Sequence, residues 1–189
     1  MATAPATRTT LTLDEFFAMP SPADGSVDYL LDDGEVVAVT KPSFEHNELL
    51  GDLYADVRGH VRRHQLGRVS LDILVILDPS RAKTWAPDLV FVAAANLQRI
   101  RNGRVFGPPD LVVEILSPST RADDLGRKLA DYHRYEVPWY WTLDPDGPTL
   151  VERRREPGGY VVAQTVGGGI FRPALFPGLE IDLGALGRG

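Results

Sequence analysis

Cysteine is absent from this chain of 189 residues. That excludes disulfides, thiolate zinc sites and cysteine nucleophiles, and it suits the cytoplasm. No apolar run approaches the roughly 18 residues that a membrane helix needs. The first residues, MATAPATRTTLTL, lack the basic and apolar stretches of a secretory signal. A cytoplasmic protein with no membrane partner is therefore expected. Also missing are a GxxxxGK[ST] phosphate loop, a GxGxxG after a strand and a G-x-S-x-G nucleophile elbow, so no organic cofactor is expected. Positive charge is in deficit: 20 Lys and Arg against 26 Asp and Glu leave a net charge of −6. That argues against a protein that merely coats DNA, whose affinity rests on basic residues. It does not argue against a divalent-metal enzyme, because such a site is itself acidic.

What is present fits one domain with a sizeable core, at 43% hydrophobic residues. Thr12 and Glu15 form a capping-box pattern that opens a short helix. Val27–Thr40 reads as a hairpin around Asp32-Asp33-Gly34, with Val36–Val39 as a buried strand. Ser43 caps a helix running to about His64, with Leu49, Leu50, Leu53, Val57 and Val61 as its apolar stripe and Gly67 as its stop. Val69–Leu77 and Asp88–Ala93 read as strands, with a short helix at Asn96–Arg101 between them and Leu111–Leu116. A helix follows over Ala122–Tyr135, then a strand at Trp139–Leu143. A hairpin spans Thr149–Thr165, and a last strand lies near Leu179–Leu183. The pattern is α/β in the α+β sense, helices around a mixed sheet.

The segment PPDLVVEILSPSTRADDLGRKLADYHRY organises the rest. Its strand carries one carboxylate, Glu114, inside an apolar run, which is costly unless the charge is paired, protonated or bound to a metal. Asp110 lies four residues away, about 13 Å along a strand, too far to share one ion. If the two PDLV strands pair antiparallel, Asp88 instead sits beside Glu114 and Asp110 beside Val92. Asp88 and Glu114 then make half of an oxygen site for a hard divalent cation. Asp124, Lys128 and Tyr132 share one helix face that can lean back over the strand end. From there Lys128 could hold a phosphate or orient a water. The plainer alternatives are that Asp88 and Asp110 form turns after proline, that Glu114 pairs with an arginine, and that Lys128 pairs only with Asp124. His46 fits a helix-start partner or cap, His60, His64 and His133 fit the surface, and Arg153–Arg155 fits a solvated strand face.

At these residues the chain resembles the Uma-two family of restriction endonucleases, a bacterial branch of the PD-(D/E)XK nuclease-like superfamily. LTLDEFFAMP, DDGEVVAV, PSFEHNELLGDL, APDLVFV, PPDLVVEILSPST and DLGRKLADYHRYEVPWYWTLDP match in order, over about Leu11 to Ile181. The resemblance implies a restriction-endonuclease-like mixed β-sheet core flanked by helices, with a C-terminal β-hairpin. The expected layout is a flexible segment over 1–10, one domain over 11–183 and a tail over 184–189. It implies a Mg²⁺ (or Mn²⁺) site held by Asp88, Glu114 and the carbonyl of Ile115, acting on DNA. Lys128 stands in for the lysine expected at Leu116, and Glu35 and His46 help position metal or water. Leu30 stands where family members often carry an acid. A catalytically weak or inactive nuclease fold that binds nucleic acid or protein is the alternative. A homodimer through Trp139, Tyr140 and Trp141 in an edge strand is a further possibility.

Overall fold

A computed structural model describes residues 10–20 and 27–188, and its central layer is a mixed sheet. The expected frayed start (1–9) and the turn at Asp24–Ser26 lie outside the described residues. In chain order the elements are α1 (Leu13–Ala18), β1 (Val27–Asp32), β2 (Glu35–Thr40), α2 (Phe44–Arg63), β3 (Gly67–Leu71), β4 (Val75–Asp78), β5 (Lys83–Trp85) and β6 (Leu89–Ala93). A 3₁₀ turn over Ala94–Arg99 leads to β7 (Ile100–Arg101), β8 (Arg104–Phe106) and β9 (Leu111–Ile115). Then come α3 (Arg121–Asp124), α4 (Arg127–Arg134), β10 (Trp139–Asp144), β11 (Thr149–Glu156), β12 (Gly159–Gly167), β13 (Ile170–Phe171) and β14 (Ile181–Asp182).

The central sheet has six strands in the order β12-β11-β10-β9-β6-β3. Strands β9 and β10 are parallel, because α3 and α4 carry the chain across between them. The other pairs are antiparallel, including β6 with β9, where Leu89 faces Val113 and Phe91 faces Leu111. Alternation sorts the side chains of these strands. Leu89, Phe91, Leu111, Val113 and Ile115 join the α2 stripe in one core, with Trp141 packed edge-on against Phe171 and Phe176. Val90, Val92 and Val112 meet Tyr132 of α4, Tyr140 and Trp85 in the other. Burying an aromatic of this size contributes about 2–3 kcal/mol. The fold is therefore α+β with a mixed sheet flanked by helices, and β13 and β14 pair antiparallel near the C-terminus.

The capping box at Thr12 and the Ser43 cap form as the sequence implies. The β1–β2 hairpin also forms, with Asp33 and Gly34 both at positive φ as a two-residue turn requires. Several local expectations are corrected. The strand Val36–Val39 is not buried, since β1–β2 stands outside the central sheet and its side chains alternate, leaving Val36 39% exposed. Val69–Leu77 is two strands in different sheets, parted at Asp72 (φ 50°). The segments 83–85 and 100–106 are strands of a second sheet, ordered β5-β4-β8-β7. The helix over Ala122–Tyr135 breaks at Gly126, where a Cβ would come within 2.7 Å of the Ala122 carbonyl oxygen. Strand β10 is interior rather than an edge, and Tyr140 and Trp141 are fully buried, so they offer no dimer surface. His60 is buried against Phe176 instead of lying at the surface. Within 184–189, expected as a tail, Leu186 is buried and the Gly187 N–H donates to Asp52.

Gly67 does not stop α2; Gln65 (φ 55°) turns the chain there. Gly67 is required for a different reason. At φ 153° it lets β3 approach β6 so closely that a Cβ would stand 2.1 Å from the Val92 carbonyl oxygen. Gly67→Ala is therefore expected to lower the urea midpoint, with a loss of roughly 1–3 kcal/mol and an unchanged m-value.

Candidate metal and phosphodiester site

The antiparallel pairing of β6 and β9 ends at Leu89–Val113, and the next residues along the two strands are Asp88 and Glu114. Glu114 meets α4 through Lys128 and Tyr132, and Asp88 meets the start of α2 through His46. Asp110, at the other end, receives hydrogen bonds from the Ala93 N–H (2.7 Å) and the Asn96 amide (2.8 Å) and so closes a turn. Asp88 is held on both oxygens. The Ile115 N–H donates to Oδ2 at 2.6 Å, and His46 Nε2, near the start of α2, lies 3.1 Å from Oδ1. That contact raises the His46 pKa, against burial, which lowers it.

Glu114 is 2% exposed. Lys128 Nζ donates to its Oε2 at 2.8 Å and the Tyr132 hydroxyl donates to its Oε1 at 2.8 Å. The partner of Glu114 is thus a lysine and a tyrosine, not an arginine. Burial, more than any neighbour, pushes its pKa up to about 8; Lys128 pulls down, while Asp88 and Asp124 add to the rise. Burial works against the charge on Lys128 as well, but Glu114 and Asp124 outweigh it, and the ammonium is held above its ordinary range. Lys128 Nζ also lies 2.8 Å from Asp124 Oδ1, so the Asp124 pair is real but is not its sole partner.

Asp88, Glu114, Ile115, His46 and Lys128 line one cavity of about 390 Å³, together with Leu30, Asp72 and the Ser117–Thr120 turn. A larger neighbouring cavity of about 550 Å³, walled by Phe16, Phe17 and Arg104, shares Leu30 and Asp72 but contains neither Asp88, Glu114 nor Lys128. The chemistry belongs to the smaller one. Glu35 is not brought in: it closes the β1–β2 turn opposite Asp32, while Val39 and Thr40 at the far end of β2 reach the cavity. Leu30 is a buried wall of the cavity.

Two features escaped the sequence reading. Asp72 lines the cavity, and its pKa is raised by burial and by Asp88. Its signal was the one that marks Glu114, an acid inside an apolar run, SLDILVIL. The second feature is a clamp. Lys83, 3% exposed, reaches Asp32 on the hairpin and Asp131 on α4, and Trp85 Nε1 donates to Asp131 at 2.9 Å. Arg127 pairs with the same Asp32. Hairpin, β5 and α4 are thereby tied together around the cavity.

The donor set fits a hard divalent cation. Among the described residues no three carboxylate or imidazole groups converge at ligand spacing. Asp88 and Glu114, with Ile115, line one cavity, and two carboxylates suit Mg²⁺, which is bound by one or two carboxylates and keeps several waters. Asp88 and Asp124 add to the rise that burial causes at Glu114, and that part is what a bound cation would relieve.

The profile of the family described as "Uma2: Putative restriction endonuclease" matches residues 13–184, and the chain belongs to that family. A solved structure of a "putative nuclease belonging to DUF820" from Anabaena variabilis is similar in fold, with a TM-score of 0.72 at 18% identity. The match covers 94% of this chain and 98% of that one. No curated protein matches the sequence. No helix among the described residues is long and apolar enough to cross a membrane.

The raised pKa of Glu114 has a consequence for stability. Its carboxyl takes up a proton on folding between the ordinary value of 4.5 and about 8, so its contribution is full below that window and declines as pH rises through it. In urea denaturation, the stability of wild type relative to Glu114→Gln is expected to fall between pH 5 and pH 8. A difference that stays flat would mean that Lys128 keeps Glu114 ionised throughout.

Proposed function

We propose that this member of the nuclease family is a metal-dependent endonuclease that hydrolyses DNA phosphodiester bonds. Asp88 and Glu114, with the Ile115 carbonyl, would hold Mg²⁺ or Mn²⁺, and Lys128 would assist at the phosphate or the water. The observation that carries the reading is Lys128 Nζ at 2.8 Å from Glu114, in the cavity that also contains Asp88. DNA as substrate rests on the description of the family as restriction endonucleases.

A divalent cation bound there would supply a nucleophilic water and offset charge on the phosphate. The chain's own groups do the rest. The Ile115 N–H and His46 fix the direction of the Asp88 carboxylate. Tyr132 fixes one oxygen of Glu114 and leaves the other to Lys128. A lysine held above its ordinary pKa stays charged, so it serves the phosphate oxygens electrostatically better than it would abstract a proton. The low-dielectric wall, Leu30 included, strengthens each of these interactions.

A second reading, a non-catalytic binding module, is favoured by Leu30 standing in that wall in place of an acid. Plasmid nicking in Mg²⁺ or Mn²⁺ separates the two. Asp88→Ala and Glu114→Ala are expected to lower the rate at least about a hundredfold. Equal background from wild type and both variants, with no metal uptake by calorimetry, would leave the binding module.

A further inference from the structure

Lys128 faces two buried carboxylates, and the proposed chemistry uses only one. Asp124 ends α3 and is 1% exposed. Among the described residues neither of its carboxylate oxygens accepts a hydrogen bond. Lys128 Nζ lies 2.8 Å from Oδ1 as an ion pair, and it donates to Glu114 Oε2 at the same distance. The other Asp124 oxygen, Oδ2, has no hydrogen-bond partner among the described residues, so the carboxylate depends on Lys128 alone.

Gly126 separates α3 from α4, yet Asp124 and Lys128 keep their i, i+4 relation across it. The Tyr140 hydroxyl donates to the Asp124 main-chain carbonyl at 2.8 Å and anchors the end of α3 to the central sheet. The carboxylate is thus fixed to the scaffold, while the lysine stem has four rotatable bonds.

We infer that Asp124 is the positioning residue for Lys128, the carboxylate that keeps the ammonium at the site when Glu114 turns to a divalent cation. The inference rests on the metal reading of Asp88 and Glu114. With the cation absent, the ammonium is shared between Glu114 and Asp124, at 2.8 Å from each. With Glu114 engaged by the cation, Asp124 would keep the ammonium within reach of a phosphate. Without Asp124 that released ammonium has no fixed partner.

The direct test follows the Lys128 NζH₃⁺ resonance by ¹⁵N NMR in wild type and Asp124→Asn, with and without saturating Mg²⁺. Wild type is expected to show an ordered Nζ in both conditions. Asp124→Asn is expected to show it only without Mg²⁺. An Nζ that stays ordered in Asp124→Asn with Mg²⁺ overturns the inference. The kinetic arm is a double-mutant cycle. Asp124→Asn is expected to lower kcat about a hundredfold with KM unchanged. Asp124→Asn with Lys128→Met is expected to be no slower than Lys128→Met alone. Losses that multiply across the cycle overturn it too. Asp124→Ser serves the same comparison should the Asn variant not fold. A wild type that cleaves no DNA removes the nuclease reading, while the Nζ resonance still decides for or against Asp124.

Discussion

The ion pair between Glu114 and Lys128 is the interaction on which the rest of the structure turns. Once Glu114 ionises, above its raised pKa of about 8, the pair is two opposite charges out of water, which cost several kcal/mol each after relaxation, and only close geometry with added hydrogen bonds recovers it. Here the additions are the Tyr132 hydroxyl on Glu114 and the second carboxylate, Asp124, on Lys128. Removing one partner would strand a charge in a core that holds Tyr140 and Val112. The pair is therefore poor at stabilising a fold and well suited to a site, since its surplus of acid is resolved by adding a cation.

Everything around the pair serves to deliver it. The β6–β9 register sets Asp88 beside Glu114, and the parallel step to β10 requires a crossover that drops α4 over the same sheet face. The clamp of Lys83, Trp85, Asp131 and Asp32 then fixes the lean of α4 against β5 and the hairpin. Asp72, Asp88 and Glu114 thereby line one cavity. The cations Lys83, Arg127 and Lys128 stand around one indole, that of Trp85, at 4.9, 5.1 and 5.7 Å from its ring centre.

Part of this was legible in the sequence. One charge in an apolar strand marks Glu114, and two PDLV strands with opposite direction are enough to choose Asp88 over Asp110. Helix starts at Thr12 and Ser43 were legible because capping is local. The lean of α4 was not legible, because Gly126 breaks the helix at a contact with Ala122 that spacing alone does not reveal. The clamp was hidden for another reason: Lys83 lies 51 residues from Asp32, and short strands such as β5 carry too few residues to show a period. Strand β10 was misplaced at an edge because exposure of an aromatic run depends on which strands flank it.

The central claim is that Asp88 and Glu114 hold one divalent cation next to Lys128. Crystals soaked in Mn²⁺ test it most directly, through the anomalous difference density. The account predicts a single strong peak touching both carboxylates, lost in Glu114→Ala crystals. An empty site between Asp88 and Glu114 at saturating Mn²⁺, with Lys128 still bonded to Glu114, would contradict it.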